Sequence, residues 1–326
     1  MAIVRNWRTQ PRIEGPFRAR VEDIPALNVV FSDAFTERYR RDGMVGVRVP
    51  NLSPKVWRYA IDDADEGAMI WRDGGPKGDI VAFNMVHHSD AEGWMGPLVV
   101  RTDLQGHGAG KEVVERGISW LREKGARTIG LETMPRTMDN IGFYSGLGFV
   151  PGRLTITLTL DAKSSDEPVE LLGRTSVQER EEEMIGIRDL VASVAPGYDF
   201  TREIELTDTL SLGDTLLLRQ GGELVGFALC HTTPLVEGRS RDELRVLKLV
   251  LASEDLLDLA LAGLRDFAKR SGTRRVALRV QGEYTAMYQR MIVMGARVRW
   301  TDLRMALSGY QESQPTRGAL LSNWEI

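Results

Sequence analysis

Cysteine is nearly absent from this chain: among 326 residues only Cys230 carries a thiol. One thiol excludes an intrachain disulfide. It sits in the apolar run Val225-Gly226-Phe227-Ala228-Leu229-Cys230, which predicts a buried structural thiol rather than a nucleophile. Histidine is scarce as well. The four histidines, without any cysteine pair, offer no zinc spacing, so no metal is expected. His87 and His88 are adjacent, and on a strand they point to opposite faces. No apolar run reaches the ~18–20 residues of a membrane helix, so no membrane partner is expected. Met1 to Gln10 carries Arg5, Trp7 and Arg8 but no apolar signal core, and the expected location is the cytoplasm. Neither sign of charge dominates. The formal net charge of -4 argues against a nucleic-acid partner. Arg38, Arg40 and Arg41 lie among acidic residues and read as a solvated helix face. Two familiar phosphate motifs are missing too. There is no Gly-Lys-Ser/Thr ending, and no Gly-x-Gly-x-x-Gly followed by an acidic residue at the dinucleotide spacing.

What is present centres on residues 99–110, Val-Val-Arg-Thr-Asp-Leu-Gln-Gly-His-Gly-Ala-Gly. An apolar strand ends at Val100. A polar turn follows, and Gln105-x-x-Gly108-x-Gly110 opens a helix that runs to about Lys124. Glycines let backbone approach a ligand and aim several N–H groups one way. The helix start adds partial positive charge to those donors. Together they predict a pyrophosphate cradle. Val113, Val114, Gly117, Ile118 and Leu121 fall on one face of the helix. Thr128 to Thr133 reads as the next strand, and Phe143-Tyr144-Ser145-Gly146-Leu147-Gly148-Phe149 closes the unit.

This combination resembles the GCN5-related N-acetyltransferases, whose acyl-CoA loop is written Gln/Arg-x-x-Gly-x-Gly/Ala. Earlier segments fit the same order. Pro16 to Val21 reads as a strand, and Ile24 to Tyr39 as a helix with Asp23 as its cap. Ser53-Pro54 starts another helix. Ala68–Trp71 and Ile80–Val86 form a hairpin, and Trp94–Val100 the next strand. Leu154–Leu160 ends the unit. Shifting the chain by 147 positions sets Gly125 on Gly272, Leu131 on Leu278, Gly148 on Gly295, and Ile80–Phe83 on Phe227–Cys230. One ungapped offset is therefore expected to relate two copies of the unit. The predicted fold class is α/β (α+β), with two tandem domains of this family's kind. Each would be a mixed, mostly antiparallel twisted sheet flanked by helices. Expected bounds are 1–160 for the first domain, 161–168 for a linker, 169–309 for a degenerate second domain and 310–326 for a tail. The tail is expected to dock through the region of Trp324. In the second copy, Gln105–Gly110 falls on Ala252, Ser253, Glu254, Asp255, Leu256 and Leu257. Two carboxylates replace the glycines and would repel a pyrophosphate.

The resemblance implies transfer of acetyl from acetyl-CoA to an amine by direct attack, with coenzyme A as cosubstrate. The backbone of Leu98, Val99 and Val100 would bind the pantetheine arm. Gln105, Gly106, His107, Gly108, Ala109 and Gly110 would hold the pyrophosphate, helped by Lys111 and Arg101. Tyr144 would be the general acid near the sulfur. The family's strand glutamate, eleven residues ahead of the loop glutamine, is here Trp94. Glu92 shares its strand face and is the first candidate base; His87 is the second, with His88 and Glu132 nearby. Thr137 stands where the family often has Asn in the coenzyme contact. Trp57, Tyr59, Trp71 and Trp94 would line an amine pocket by cation–π contact. The acceptor is expected to be a small-molecule or peptide amine, and the protein a monomer or homodimer. Two other readings remain: an acyl-CoA-binding protein without catalysis, and a transferase of a larger acyl group.

Overall fold

The computed structural model describes residues 12–165 and 169–326. Met1 to Gln10, and the end of the expected linker at 166–168, lie outside the described residues. The first half runs β1 (Ile13–Arg18), α1 (Ile24–Arg41), α2 (Pro54–Ala64), β2 (Ala68–Asp73), β3 (Asp79–Ser89), β4 (Glu92–Val100), α3 (Ala109–Glu123), β5 (Thr128–Thr133), α4 (Met138–Gly146) and β6 (Phe149–Asp161). The second repeats this order. It comprises β7 (Glu170–Leu171), α5 (Val177–Val194), α6 (Thr201–Thr209), β8 (Gly213–Gln220), β9 (Glu223–His231), β10 (Glu243–Leu251), α7 (Leu257–Arg270), β11 (Arg275–Gln281), α8 (Thr285–Val293) and β12 (Arg297–Leu307). A final strand, β13 (Ala319–Ser322), follows.

Local sequence explains most of these elements. Pro54 opens α2, where its missing N–H costs nothing. The predicted stripe Val113, Val114, Gly117, Ile118 and Leu121 is the buried face of α3. The sheet is covered on both sides, so Ala68–Trp71 of β2 and Ile80–Val86 of β3 are buried and, apart from Asn84, apolar, and their side chains divide between the two faces. Ile70, Phe83 and Met85 pack under α1 and α2. Met69, Trp71 and Val86 pack under α3.

One sheet runs through both halves in the order β1-β2-β3-β4-β5-β12-β6-β11-β10-β9-β8-β7. The last strand of each half is exchanged. β12 lies between β5 and β6, while β6 lies between β12 and β11. Each half therefore completes the other's sheet.

Two expectations need correction. The ungapped offset fails from the third strand on, because β3 starts at Asp79 and β9 at Glu223, an interval of 144, and β4 starts at Glu92 and β10 at Glu243, an interval of 151. Several loops change length, and the turn 74–78 between β2 and β3 becomes 221–222. Residues 90–91 between β3 and β4 become 232–242, and the loop 101–108 becomes 252–256. The 147 interval returns in α4 and α8. The first strand is Ile13–Arg18 rather than Pro16–Val21, because Val21 already belongs to a helical turn.

The forks matter most for a site. β4 and β5 pair in parallel from Glu92↔Thr128 to Met95↔Leu131 and then part. β10 and β11 pair from Glu243↔Arg275 to Arg245↔Ala277 and then part. In the second half β13 takes up the freed edge of β10, with Lys248–Leu251 antiparallel to Ser322–Ala319. Its four residues are all buried. In the first half the edge of β4 beyond Met95 stays open.

Candidate active site

The loop after β4 is held by its own polar groups. Gln105 Nε2 donates to the Val100 carbonyl at 3.0 Å, and its Oε1 accepts from Arg41 of α1 at 3.1 Å. Gly106 and Gly108 have φ of 82° and 90°, which glycine alone adopts freely. A Cβ at either would meet nothing within 4 Å, so the space above the loop is open. The N–H groups of residues 106–110 donate to no protein acceptor among the described residues. They stand at the N-terminus of α3, where the helix dipole adds positive character. Lys111 lies beside them. This is an anion cradle made by backbone.

A cavity of about 790 Å³ starts at this loop. It follows the open edge of β4 from Val100 back through Val99, Leu98, Pro97 and Gly96 to Met95. That edge spans about 17 Å at the usual rise of a strand. The fork with β5 supplies Glu132, Thr133 and Met134. Beyond it the cavity runs between α1 and the second half. Phe35 and Tyr39 stand on one side, Leu235, Val236, Trp300 and Asp302 on the other, and Trp324, Glu325 and Ile326 of the tail close it. The long 232–242 connection reaches α2 here, where Ser53 N–H donates to the Leu235 carbonyl at 2.9 Å and Glu237 N–H to the Asn51 carbonyl at 3.0 Å.

Charge collects at the fork. Arg279 of β11 is shared by Glu132, Asp302 and Glu325. Arg304 of β12 lies between Glu132 and Glu312 and stacks on Trp324 at 3.8 Å. Burial raises the carboxyl of Glu132, but the two guanidiniums outweigh it and hold it at about 2. Asp302 goes the other way. Burial and the charge of Glu325 push it up to about 7, although Arg279 opposes them.

The expected site residues divide. Leu98, Val99, Val100, Gln105, Gly106, Gly108, Gly110 and Lys111 line the cavity. His107 is exposed, with its ring turned to the Gln105 carbonyl at 3.0 Å, and Ala109 is buried under the helix start. Arg101 is paired with Asp103. Glu92 and His87 do not line the cavity. Glu92 is fully buried. Its carboxylate meets Lys248 Nζ, Ser322 Oγ and Trp324 Nε1, each at 2.9 Å. Burial alone would raise it, but Lys248 and these hydrogen bonds keep it low. It ties β4 to β10 and the tail, which is a structural duty. His87 is fully buried as well, bound by Asp63 and the Gly96 carbonyl and stacked on Trp94 at 3.9 Å. His88 faces the other side, edge-on to Trp120.

Tyr144 is likewise turned from the cavity. α4 presents Asn140 and Phe143 to it, whereas Tyr144 packs on Phe149 and burial pushes its hydroxyl up to about 12. Thr137 is buried and donates to Asp42 at 2.9 Å, tying α4 to the end of α1. Trp57, Tyr59, Trp71 and Trp94 are core residues. The aromatic wall is instead Phe35, Tyr39, Phe143 and Trp300. Asp302, Glu325 and Trp300 escaped the sequence reading, although Asp302 and Arg304 alternating in a strand were a sign of a charged inner face. Cys230 is buried, and burial pushes its thiol up. Among the described residues no cluster of His, Cys, Asp and Glu suits a metal ion, and no helix is long and apolar enough to cross a membrane.

Residues 32–149 match the model of the acetyltransferase (GNAT) family. Three similar structures span nearly the whole chain. A Pyrococcus horikoshii protein with a provisional acetyltransferase assignment is 18% identical, with 96% of this chain and 94% of that one covered and a TM-score of 0.65. A tandem GNAT protein from the clavulanic acid biosynthesis pathway is 12% identical, with 92% and 100% covered and a TM-score of 0.57. Saccharomyces cerevisiae N-myristoyltransferase with bound myristoyl-CoA is 10% identical, with 94% and 80% covered and a TM-score of 0.61. At these identities the likeness is one of fold. No curated protein matches the chain in sequence.

Proposed function

From a chain whose residues 32–149 match the GNAT acetyltransferase family, we propose that this protein transfers an acetyl group from acetyl-CoA to an amine. One observation carries the reading. A single cavity joins the backbone anion cradle, the open edge of β4 and an acidic, aromatic end walled by the second half. The N–H groups of Gly106 to Gly110 hold the pyrophosphate. The free edge from Val100 to Gly96 pairs with the pantetheine arm as a neighbouring strand would. The acyl end then lies at the fork beside Met95 and Leu131, where β4 backbone N–H groups polarise the carbonyl. Acyl-CoA supplies the activated acyl group, and the protein supplies position and electrostatics. The acceptor, a small molecule or a peptide amine, enters between α1 and the 232–242 loop. Acetyl is the donor that the family match suggests, and Trp324 and Ile326 line the space beyond the fork.

Thiol release from acyl-CoAs of increasing chain length, across a panel of amines, tests the reading. Amine-dependent release with acetyl-CoA as the best donor is expected. Tight acyl-CoA binding without turnover for any amine would make this a binding protein. Preference for long chains would overturn the acetyl assignment alone.

A further inference from the structure

We infer that Asp302, carried by the last strand of the second half, takes the proton from the incoming amine, and that the acceptor arrives as a cation on an apolar or aromatic body. The inference rests on the acyl-transfer reading and deepens it. Asp302 lines the cavity, and its neighbour Leu303 pairs with Thr133 on β5. Glu132 is the first residue past the last β4–β5 pair. Arg279 Nη2 touches both Glu132 and Asp302, so Asp302 sits at the fork.

The other carboxylates at hand are worse placed for the task. Glu92 is spent on Lys248, Ser322 and Trp324. Glu132 accepts from Thr155, Arg304 and Arg279 and is held far below neutrality. Asp302 has two weaker ties, Trp300 Nε1 at 3.2 Å and Arg279 at 3.0 Å. It titrates at about 7, where a base is both available and strong enough at neutral pH. The groups facing it are Glu132 on β5, Arg279 on β11, Arg304 on its own strand, Glu325 on the tail and Tyr39 on α1.

The surroundings also select the substrate. Glu132, Asp302, Glu325 and Glu312 outnumber the guanidiniums around them, Arg279, Arg304 and, behind the tail, Arg245, leaving an excess of negative charge. Arg38 and Arg41, the cavity-lining cations of α1, are occupied by Asp42 and Asp139 and by Glu37. Among the described residues that line the cavity, each cation already has a carboxylate partner, so an acceptor carboxylate would have to compete for one. Tyr39 and Trp300, with ring centroids 6.4 Å apart, offer faces to a cation's apolar stem. In the step itself, the ammonium gives one proton to Asp302. The neutral nitrogen attacks the thioester carbon, the C–N bond forms and the C–S bond breaks. The second nitrogen proton leaves with the thiolate as the free thiol, and Asp302 later returns its proton to water.

The test measures kcat and KM against pH, with calorimetry for acetyl-CoA, on wild type, Asp302→Asn and Asp302→Glu. Asp302→Asn is expected to lower kcat by about 100-fold or more and to erase the acidic limb near pH 7. Acetyl-CoA affinity should stay within about twofold of wild type. Asp302→Glu keeps a charge for Arg279, so it should fold, retain an acidic limb and lose less turnover than Asp302→Asn. In the amine panel, monocationic aralkyl amines should exceed free amino acids in kcat/KM. Turnover by wild type with an unchanged limb in Asp302→Asn, or amino acids as the best acceptors, would overturn this inference and leave the acyl-transfer reading standing. Wild type without turnover for any amine would overturn both.

Discussion

Glu132 and Arg279 stand 147 residues apart, at matching positions of β5 and β11, and the folded chain brings them together as an ion pair. Thr155 and Asp302 are separated by the same interval and face each other across β6 and β12. The two halves thus meet about an approximate dyad through the exchanged strands. At that dyad equivalent positions carry opposite chemistry, a carboxylate against a guanidinium and a hydroxyl against a carboxylate. The duplication places its two copies of one residue in contact, and divergence there turns a symmetric seam into an asymmetric acidic site.

Buried charge between the halves makes stability depend on pH. Glu203 of α6 is fully buried and accepts from Ser89 of β3. Burial pushes it up to about 8, the charge of Asp63 adds to this, and Lys248 opposes. The folded chain therefore holds a proton that the unfolded chain releases near the ordinary range of a glutamate. By linkage, this contribution to stability is full in acid and is lost as pH rises toward 8. Glu203→Gln should melt with wild type near pH 4.5 and several degrees above it at pH 8.5. A gap between the two melting curves that does not grow with pH would contradict this.

Glu92 provides the second prediction. It sits against Lys248, which also lies over the Phe200 ring at 4.6 Å. Removing one partner of such a pair leaves an uncompensated buried charge, at a cost of about 3–5 kcal/mol. Glu92→Ala should lose stability of that order in denaturant titration. Glu92→Leu combined with Lys248→Met should recover much of it. The shape of the pH–rate profile should not change in the double variant. Normal stability together with loss of the acidic limb in Glu92→Ala would restore Glu92 as the base.

The anion cradle was legible in the sequence because it is local. Glycine spacing and a helix start are encoded within a dozen residues, and the donors they expose are backbone N–H groups. The helix faces were legible for the same reason. Tyr144 lies off the cavity wall because neighbouring residues on a helix differ by about 100° in direction, and Phe143 is the one that reaches the wall. The four aromatic residues taken for a pocket were hidden by the two-sided cover of the sheet. Asp302 and Glu325 were out of reach for another reason. They join the site only through the strand exchange and through the tail, contacts that no local pattern records.

The two forks support the last prediction. In the first half the edge of β4 is open above a loop of free N–H donors. In the second half the sequence set Glu254 and Asp255 against a pyrophosphate. The structure adds a separate obstacle, because β13 already pairs with β10 along Lys248–Leu251. The slot is also sealed at its start, where a Cβ on Gly318 would lie 2.2 Å from the Leu251 carbonyl oxygen. Ser253 caps the helical turn there by accepting from the Asp255 N–H at 3.2 Å. The two causes are separable. If charge alone closed the second site, Asp255→Gly with Glu254→Gln would open it. Occupancy by β13 predicts that it stays closed. Calorimetry should therefore give one acetyl-CoA per chain for wild type and for that double variant. Gly108→Glu, which puts a side chain and a charge into the open cradle, should abolish binding. Two sites per chain in either protein, or a Gly108→Glu variant of unchanged affinity, would be incompatible with this account.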